Sequence, residues 1–205
     1  MARFERSKPR FKQQPKVLVI CEDTKSGKRY LEDASLHFRV TVLVEITHGR
    51  KTDPLSIVKQ AISRQGKFDR VFCAIDRDTH ATFDEAIQLA KTSEKIEIFA
   101  SYPCFEFWLL LHFGYSRKPY AGAGKHSAAD LLIKDLCTYP GLENYEKGKD
   151  FSIFKLLLGK RFDEARRIAP KVLAEAMANE EMNPSTRLHE LLDFFEKLSL
   201  PQEAL

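Results

Sequence analysis

The sequence predicts an α/β protein in which helices flank a four-stranded parallel sheet, followed by a helical extension. Four short apolar runs alternate with helical patterns over the first 100 residues, and from residue 104 onward the pattern is helical alone. Strands that alternate with helices form βαβ units with right-handed crossovers. A chain of 205 residues of which 43% are hydrophobic is also long enough for one substantial core and a smaller subdomain.

The first half supplies the sheet. Strands are predicted at 16–21, 40–46, 70–75 and 96–100, and helices at 26–37, 54–64 and 82–91. The first run, VLVIC at 17–21, is continuously apolar and rich in β-branched residues, which is typical of a strand buried on both faces. Pro54 suits the first turn of the second helix. No fifth strand is expected.

The second half is predicted to be helical and to pack on the sheet. Its helices are expected at 104–113, 127–137, 151–158, 162–179 and 185–198. Asn183 and Pro184 fit the N-cap and first turn of the last helix. The segment 114–125 is rich in glycine, tyrosine and basic residues and is interpreted as a surface loop. The predicted organisation is a basic tail at 1–15, an α/β core at 16–113 and a helical extension at 114–205.

Composition and charge exclude several classes of protein. The longest apolar stretch, 107–111, is far shorter than the about 20 residues that span a bilayer, and no export signal follows the basic N-terminus. We therefore expect a cytoplasmic protein with four reduced cysteines. The net charge of +4 is concentrated at 1–16, where six basic residues face one acid, leaving 27 basic and 28 acidic residues elsewhere. A uniformly basic nucleic-acid surface is not indicated.

Acidic residues follow two of the predicted strands. Glu22 comes directly after strand one, and Asp76 and Asp78 come directly after strand three. A sheet ordered 2-1-3-4 makes these strands neighbours and places a topological switch point, where such sheets bind ligands, between them. Carboxylates without a histidine or cysteine cluster favour Mg²⁺ or Mn²⁺. The alternative is that these acids cap helices or lie in ordinary turns.

Basic residues and one further acid lie near this predicted site. Candidate phosphate or nucleic-acid ligands follow strands one and two: Lys25, Lys28, Arg29, His48, Arg50 and Lys51. Glu106 stands among aromatic residues and leucines at a predicted helix start, where a carboxylate needs a partner. That partner is either the backbone N–H groups of its helix or a functional site. Trp108 is interpreted as a core residue.

Four segments resemble the RloB family, also called the AbiLii-type family. They are VLVICE at 17–22, DRD at 76–78, SYPCFEFWLLLHF at 101–113, and NPST at 183–186 followed by His189. The resemblance covers most of the chain after the tail, and the tryptophan-containing segment is its most specific part.

The resemblance implies a Toprim-like (Rossmannoid) fold, the metal-dependent fold of topoisomerases, primases and small nucleases. It also implies a prokaryotic setting beside restriction-modification or abortive-infection genes, usually with an AAA or ABC-type ATPase partner. The Toprim glutamate falls on Glu22, and the paired aspartates fall on Asp76 and Asp78. Toprim proteins usually have glycine after the glutamate, where this chain has Asp23, which could hold a second metal or repel a phosphate.

Two functions follow as hypotheses. The first is a Mg²⁺-dependent nuclease in antiphage defence, in which Asp76 and Asp78 hold the metal and Glu22 completes its shell or acts as a general base. The second is a non-catalytic effector or sensor that binds metal or nucleotide and docks on an ATPase. A receiver-domain acidic pocket is rejected, because no fifth strand supplies the lysine that such a pocket needs.

Overall fold

A computed structural model describes residues 15–23, 25–40, 42–46, 53–77, 80–149 and 152–200, with the backbone alone for 42–46. Residues 1–14, 24, 41, 47–52, 78–79, 150–151 and 201–205 lie outside this description. Both faces of the sheet are covered by helices, which explains why its strand at 17–21 is apolar and buried along its whole length.

The sheet has five strands in the order β2-β1-β3-β4-β5. Four of them run parallel: β1 (Val17–Cys21), β2 (Val42–Ile46), β3 (Arg70–Asp76) and β4 (Ile96–Tyr102). The fifth, β5 (Ser185–Thr186), pairs antiparallel with the end of β4. The expectation of four parallel strands alone was therefore wrong, because a two-residue strand has too little periodicity to be recognised in a sequence.

Eight α-helices lie in the described residues. They are α1 (Ser26–His37), α2 (Pro54–Arg64), α3 (Phe83–Ala90), α4 (Glu106–Leu110), α5 (Ala128–Leu136), α6 (Ile153–Leu157), α7 (Lys160–Ala178) and α8 (Leu188–Ser199). Helices α2 and α3 share one core with one face of the sheet, and α1 and α4 to α8 share the other. Trp108, fully buried, belongs to this second core. None of the described helices combines the length and apolarity needed to cross a bilayer.

The last helix begins later than the sequence predicts. Asn183 and Pro184 do not start it, because Ser185 and Thr186 form β5 and α8 begins at Leu188. The side chain of Asn183 instead bonds the backbone of Tyr120, donating to its carbonyl at 2.7 Å and accepting from its N–H at 3.3 Å. The loop 114–125 is thereby tied to the segment that precedes β5.

Arg187 fastens β5 and α8 to the edge of the sheet. Its guanidinium donates to the carbonyl of Ile98 at 2.8 Å and to the carboxylate of Glu97 at 2.8 Å, and it also pairs with Glu190. Its backbone N–H donates to the carbonyl of Ala100 at 3.0 Å. These bonds satisfy edge carbonyls of β4 that would otherwise lack partners.

We predict that Arg187→Met lowers the free energy of unfolding by about 2 kcal/mol, because the variant loses charge-assisted bonds and leaves a strand carbonyl unpaired. The matched control is Arg167→Met, which removes an exposed pair with Glu164 and should cost less than about 0.5 kcal/mol. Urea unfolding curves measure both values. Equal losses in the two variants would contradict the role given to Arg187.

Candidate active site at the carboxyl edge of the sheet

The register of the sheet brings Glu22 and Asp76 together. Cys21, the last residue of β1, pairs with Ala74 of β3, and the N–H of Glu22 continues the ladder to the carbonyl of Ala74 at 3.0 Å. The carboxylate of Glu22 then accepts the backbone N–H of Asp76 at 2.9 Å. Its other oxygen lies 2.9 Å from Nε2 of His80. Glu22 is therefore held on both oxygens.

Asp23 has a structural role at the start of α1. Its two carboxylate oxygens accept the N–H groups of Lys25 at 3.0 Å and of Gly27 at 2.8 Å, so Asp23 satisfies donors at the start of α1 from two residues before Lys25, the N-cap position. This backbone bonding is a structural role of the kind considered as the alternative for Glu22, Asp76 and Asp78, but it falls on Asp23. Its side chain is only 7% exposed, however, and it also lies 4.0 Å from Nζ of Lys147.

Glu106 is the most buried acid of the site. It is the first residue of α4 and has no exposed surface. Its Oε1 accepts the hydroxyl of Tyr145 at 3.1 Å and lies 3.6 Å from Nζ of Lys147, whereas its Oε2 has no hydrogen-bond partner. The partner that a buried carboxylate needs therefore comes from a distant loop.

We call Glu22, Asp23, Asp76 and Glu106 the acidic cluster. Burial raises the pKa of Asp76 well above its ordinary value; the negative charge of Glu106 adds to this effect, and Lys147 opposes it. The pKa of the Cys104 thiol is raised by burial and then by Glu106 and Asp76. The negative charge of the cluster therefore contributes to the raised pKa values of both Asp76 and Cys104.

Lys147 supplies positive charge to this cluster. Burial alone would lower the pKa of its ammonium group, but Glu106, Asp23 and Asp76 together raise it above its ordinary value. Lys147 therefore carries its charge throughout the physiological range. It belongs to residues 145–149, which we call the strap.

A chain of hydrogen bonds connects the strap with α1 and the acidic cluster. The hydroxyl oxygens of Tyr145 and Ser26 are 3.1 Å apart, and Ser26 Oγ accepts the N–H of Gly148 at 3.2 Å. Because a carboxylate can only accept, the single hydroxyl hydrogen of Tyr145 points to Glu106, so Ser26 donates to Tyr145. The direction of the whole chain is thereby fixed.

An open cleft of about 410 Å³ lies on the other side of the strap. Four basic residues and one acid line it, namely Lys25, Lys28, Arg29, Lys149 and Glu32. Ser26, Tyr145 and Gly148 also border it, so the hydrogen-bonded chain separates the cleft from the acidic cluster. We call it the basic cleft.

Comparison with known proteins gives one family. The model of the family described as RloB-like protein matches residues 17–195. This chain belongs to the RloB-like family. Searches among curated proteins and among solved structures gave no match.

Every predicted site residue that the structure of this RloB-like chain describes lies in the acidic cluster or lines the basic cleft. Glu22 and Asp76 meet, Asp23 and Glu106 join them, and Lys25, Lys28 and Arg29 line the basic cleft. Four predicted residues, Asp78, His48, Arg50 and Lys51, lie outside the described residues. Sequence reasoning missed three site residues, namely His80, Tyr145 and Lys147. For Tyr145 and Lys147, the only indication in the sequence was that a buried Glu106 needs a partner.

The donor chemistry of the acidic cluster fits a divalent cation. All four side chains offer hard carboxylate oxygens, and Glu106 Oε2 is buried without a partner. A cavity of about 20 Å³, large enough for one small ion or water, is bordered by Asp23, Asp76 and Ser101; the rest of its lining is apolar or glycine and does not include Glu22 or Glu106. Within the described residues, however, no three metal-ligating side chains form a ready-made site.

We predict that Asp76→Asn raises the melting temperature of the metal-free protein at pH 7. A carboxyl whose pKa is raised on folding binds its proton more tightly in the folded state, so stability falls as the pH rises from the ordinary value of 3.8 toward the folded value. The difference in melting temperature between Asp76→Asn and wild type should therefore become smaller toward pH 4. Thermal melts in chelator, with the exposed Glu94→Gln as control, measure it. A variant that melts lower than wild type at pH 7 would contradict the electrostatic account.

Proposed function

We propose that this protein is a Mg²⁺-dependent phosphodiester hydrolase that acts on nucleic acid. The observation that carries the proposal is the acidic cluster around Asp76 at the carboxyl edge of the sheet, separated only by the strap from a basic cleft. Such a pairing suits a polyanionic substrate that is cleaved with the help of a cation.

In this proposal Asp76 and Glu106 hold the metal, with Asp78 and Asp23 as further ligands. Mn²⁺ should support the same activity as Mg²⁺, since both ions prefer oxygen donors. The cation, when bound, polarises the scissile phosphate and lowers the pKa of a water molecule. Glu22 is oriented by the N–H of Asp76, and it fixes the imidazole of His80 at 2.9 Å. His80, which stays partly exposed, is thus the group placed to transfer a proton.

The basic cleft holds the phosphate backbone on either side of the scissile bond. Lys25 is exposed, and Lys28, although 3.3 Å from Glu32, keeps 30% of its side chain exposed. Salt bridges of this kind are weak in water and leave the ammonium able to contact a phosphate. Because the cleft presents charge rather than base-reading groups, binding should depend on the nucleic-acid backbone.

We further propose that the fold is Toprim-like and that the protein acts in the prokaryotic cytoplasm in antiphage defence, together with an AAA or ABC-type ATPase. The strand order and the acids at the ends of β1 and β3 support this placement. A second candidate is a non-catalytic effector subunit that binds metal or nucleotide and docks on such an ATPase. It is favoured by the basic cleft, whose lysine and arginine side chains suit the phosphates of a nucleotide as well as those of a nucleic acid.

We predict metal-dependent cleavage of single- or double-stranded DNA or RNA by the purified protein, alone or with its neighbouring ATPase. Asp76→Asn and Glu106→Gln should each lower the rate at least about 100-fold, because each replaces a charged metal ligand with a neutral amide and so weakens the binding of the cation that stabilises the transition-state charge. Gel assays with Mg²⁺, Mn²⁺ or chelator measure this, and Glu94→Gln serves as the control. Cleavage that survives both substitutions would refute the assigned site. Tight ATPase binding without any cleavage would favour the effector.

We predict that Lys25→Met weakens nucleic-acid binding similarly for every sequence and reduces the slope of log K against log salt by about 1, as loss of one phosphate contact does. Methionine keeps the unbranched chain that packs on Gly148. Lys171→Met, an exposed lysine of α7, is the control. Fluorescence anisotropy at several salt concentrations gives both slopes. An unchanged slope for Lys25→Met would remove this lysine from the interface.

A further inference from the structure

The strap lies between the two charged sites and contacts both. On one side, Tyr145 donates to Glu106 and Lys147 faces Glu106 and Asp23. On the other side, Gly148 and Lys149 line the basic cleft. Any movement of the strap therefore changes the two sites together.

Lys147 meets the acidic cluster from the solvent side. Its side chain is 37% exposed, whereas the side chains of Asp23 and Glu106 are 7% and 0% exposed. Its ammonium is 4.0 Å from Asp23 Oδ2 and 3.6 Å from Glu106 Oε1, longer than direct charge-assisted hydrogen bonds. The contact is thus mainly electrostatic, and the ammonium can return to water without opening the hydrophobic core.

We propose that the ammonium of Lys147 is a displaceable internal cation, which a divalent ion entering the acidic cluster expels together with the strap. This inference rests on the proposed function, in which the cluster holds Mg²⁺. An ammonium and a divalent ion held by the same carboxylates repel each other strongly at a separation of about 4 Å. The divalent ion, with twice the charge, gains more from Glu106 and Asp76, so the ammonium leaves.

The departure of the strap alters the basic cleft. Gly148 has φ +90°, and a Cβ atom there would lie 2.2 Å from Cδ of Lys25, so only glycine lets the strap pack this closely on the lysine side chain. The N–H of Gly148 also donates to Ser26. Expulsion of Lys147 breaks these contacts and frees Lys25. Cation binding and anion binding are therefore coupled, and the coupling is reciprocal.

The first experiment measures Mn²⁺ affinity by isothermal titration calorimetry without nucleic acid. Lys147→Met removes the competing charge and should tighten Mn²⁺ binding by about tenfold or more, within the usual range of such couplings. Lys147→Arg keeps the charge and should stay close to wild type. Lys149→Met is the matched control, because it removes a strap lysine that pairs with Glu146 and does not face the cluster.

Two results are decisive and distinct. Wild type that binds Mn²⁺ no more weakly than Lys147→Met overturns the displacement and leaves the proposed function standing. Failure of both wild type and Lys147→Met to bind Mn²⁺ overturns the metal-dependent function and the inference with it.

A second experiment uses the wild-type protein and so does not depend on the folding of a variant. Mn²⁺ should speed tryptic cleavage after Lys147 and Lys149 relative to cleavage after Lys91, an exposed lysine that follows α3. Mass spectrometry of the early fragments gives each rate. Strap cleavage that is unchanged or slowed relative to Lys91 would show that the cation enters without moving the strap.

Discussion

At the end of two buried strands, the carboxylates of Asp23 and Glu106 lie 4.0 and 3.6 Å from the ammonium of Lys147, and Asp76 interacts with the same ammonium electrostatically. Like charges in a partly dehydrated place repel one another, and a single lysine cannot neutralise three acids. Burial raises the pKa of Asp76 well above its ordinary value, and the negative charges of Glu106, Glu22 and Asp23 raise it further. The acidic residues lie on elements of the core. Their mutual repulsion must therefore be balanced by the interactions that hold those elements together.

The sheet and the first turns of the helices hold the acidic side chains in place. The β1–β3 register fixes Glu22 against the N–H of Asp76, and the capping bonds of Asp23 fix it to the start of α1. Glu106 has no such backbone bond within the described residues; it is held by the burial of α4 and by Tyr145. Each acid is thus fixed by a different element, and their closeness is a property of the fold rather than of a local motif.

This arrangement explains what the sequence could and could not predict. Glu22 and Asp76 were predictable because strand ends are visible as apolar runs that stop at a charge. The short strand β5 was missed, because two residues carry no period and Asn183-Pro184 is also a common helix start. Lys147 was beyond prediction, since it lies 41 residues after Glu106 in a turn with no pattern of its own. The buried Glu106 required a partner but did not identify it.

The two sides of the strap carry opposite charge, negative in the acidic cluster and positive in the basic cleft, and a polyanion interacts differently with each. In the proposed function, the acidic cluster alone would repel a phosphate by its negative charge, and the basic cleft alone would attract one but offer no group that acts on it. The chain from Gly148 through Ser26 and Tyr145 to Glu106 joins the two within hydrogen-bond distances of 3.1 to 3.2 Å, so neither can rearrange independently. Under the proposed function, a phosphate held in the cleft would therefore favour a cation in the cluster, and the cation in turn would reduce the repulsion that the phosphate meets there.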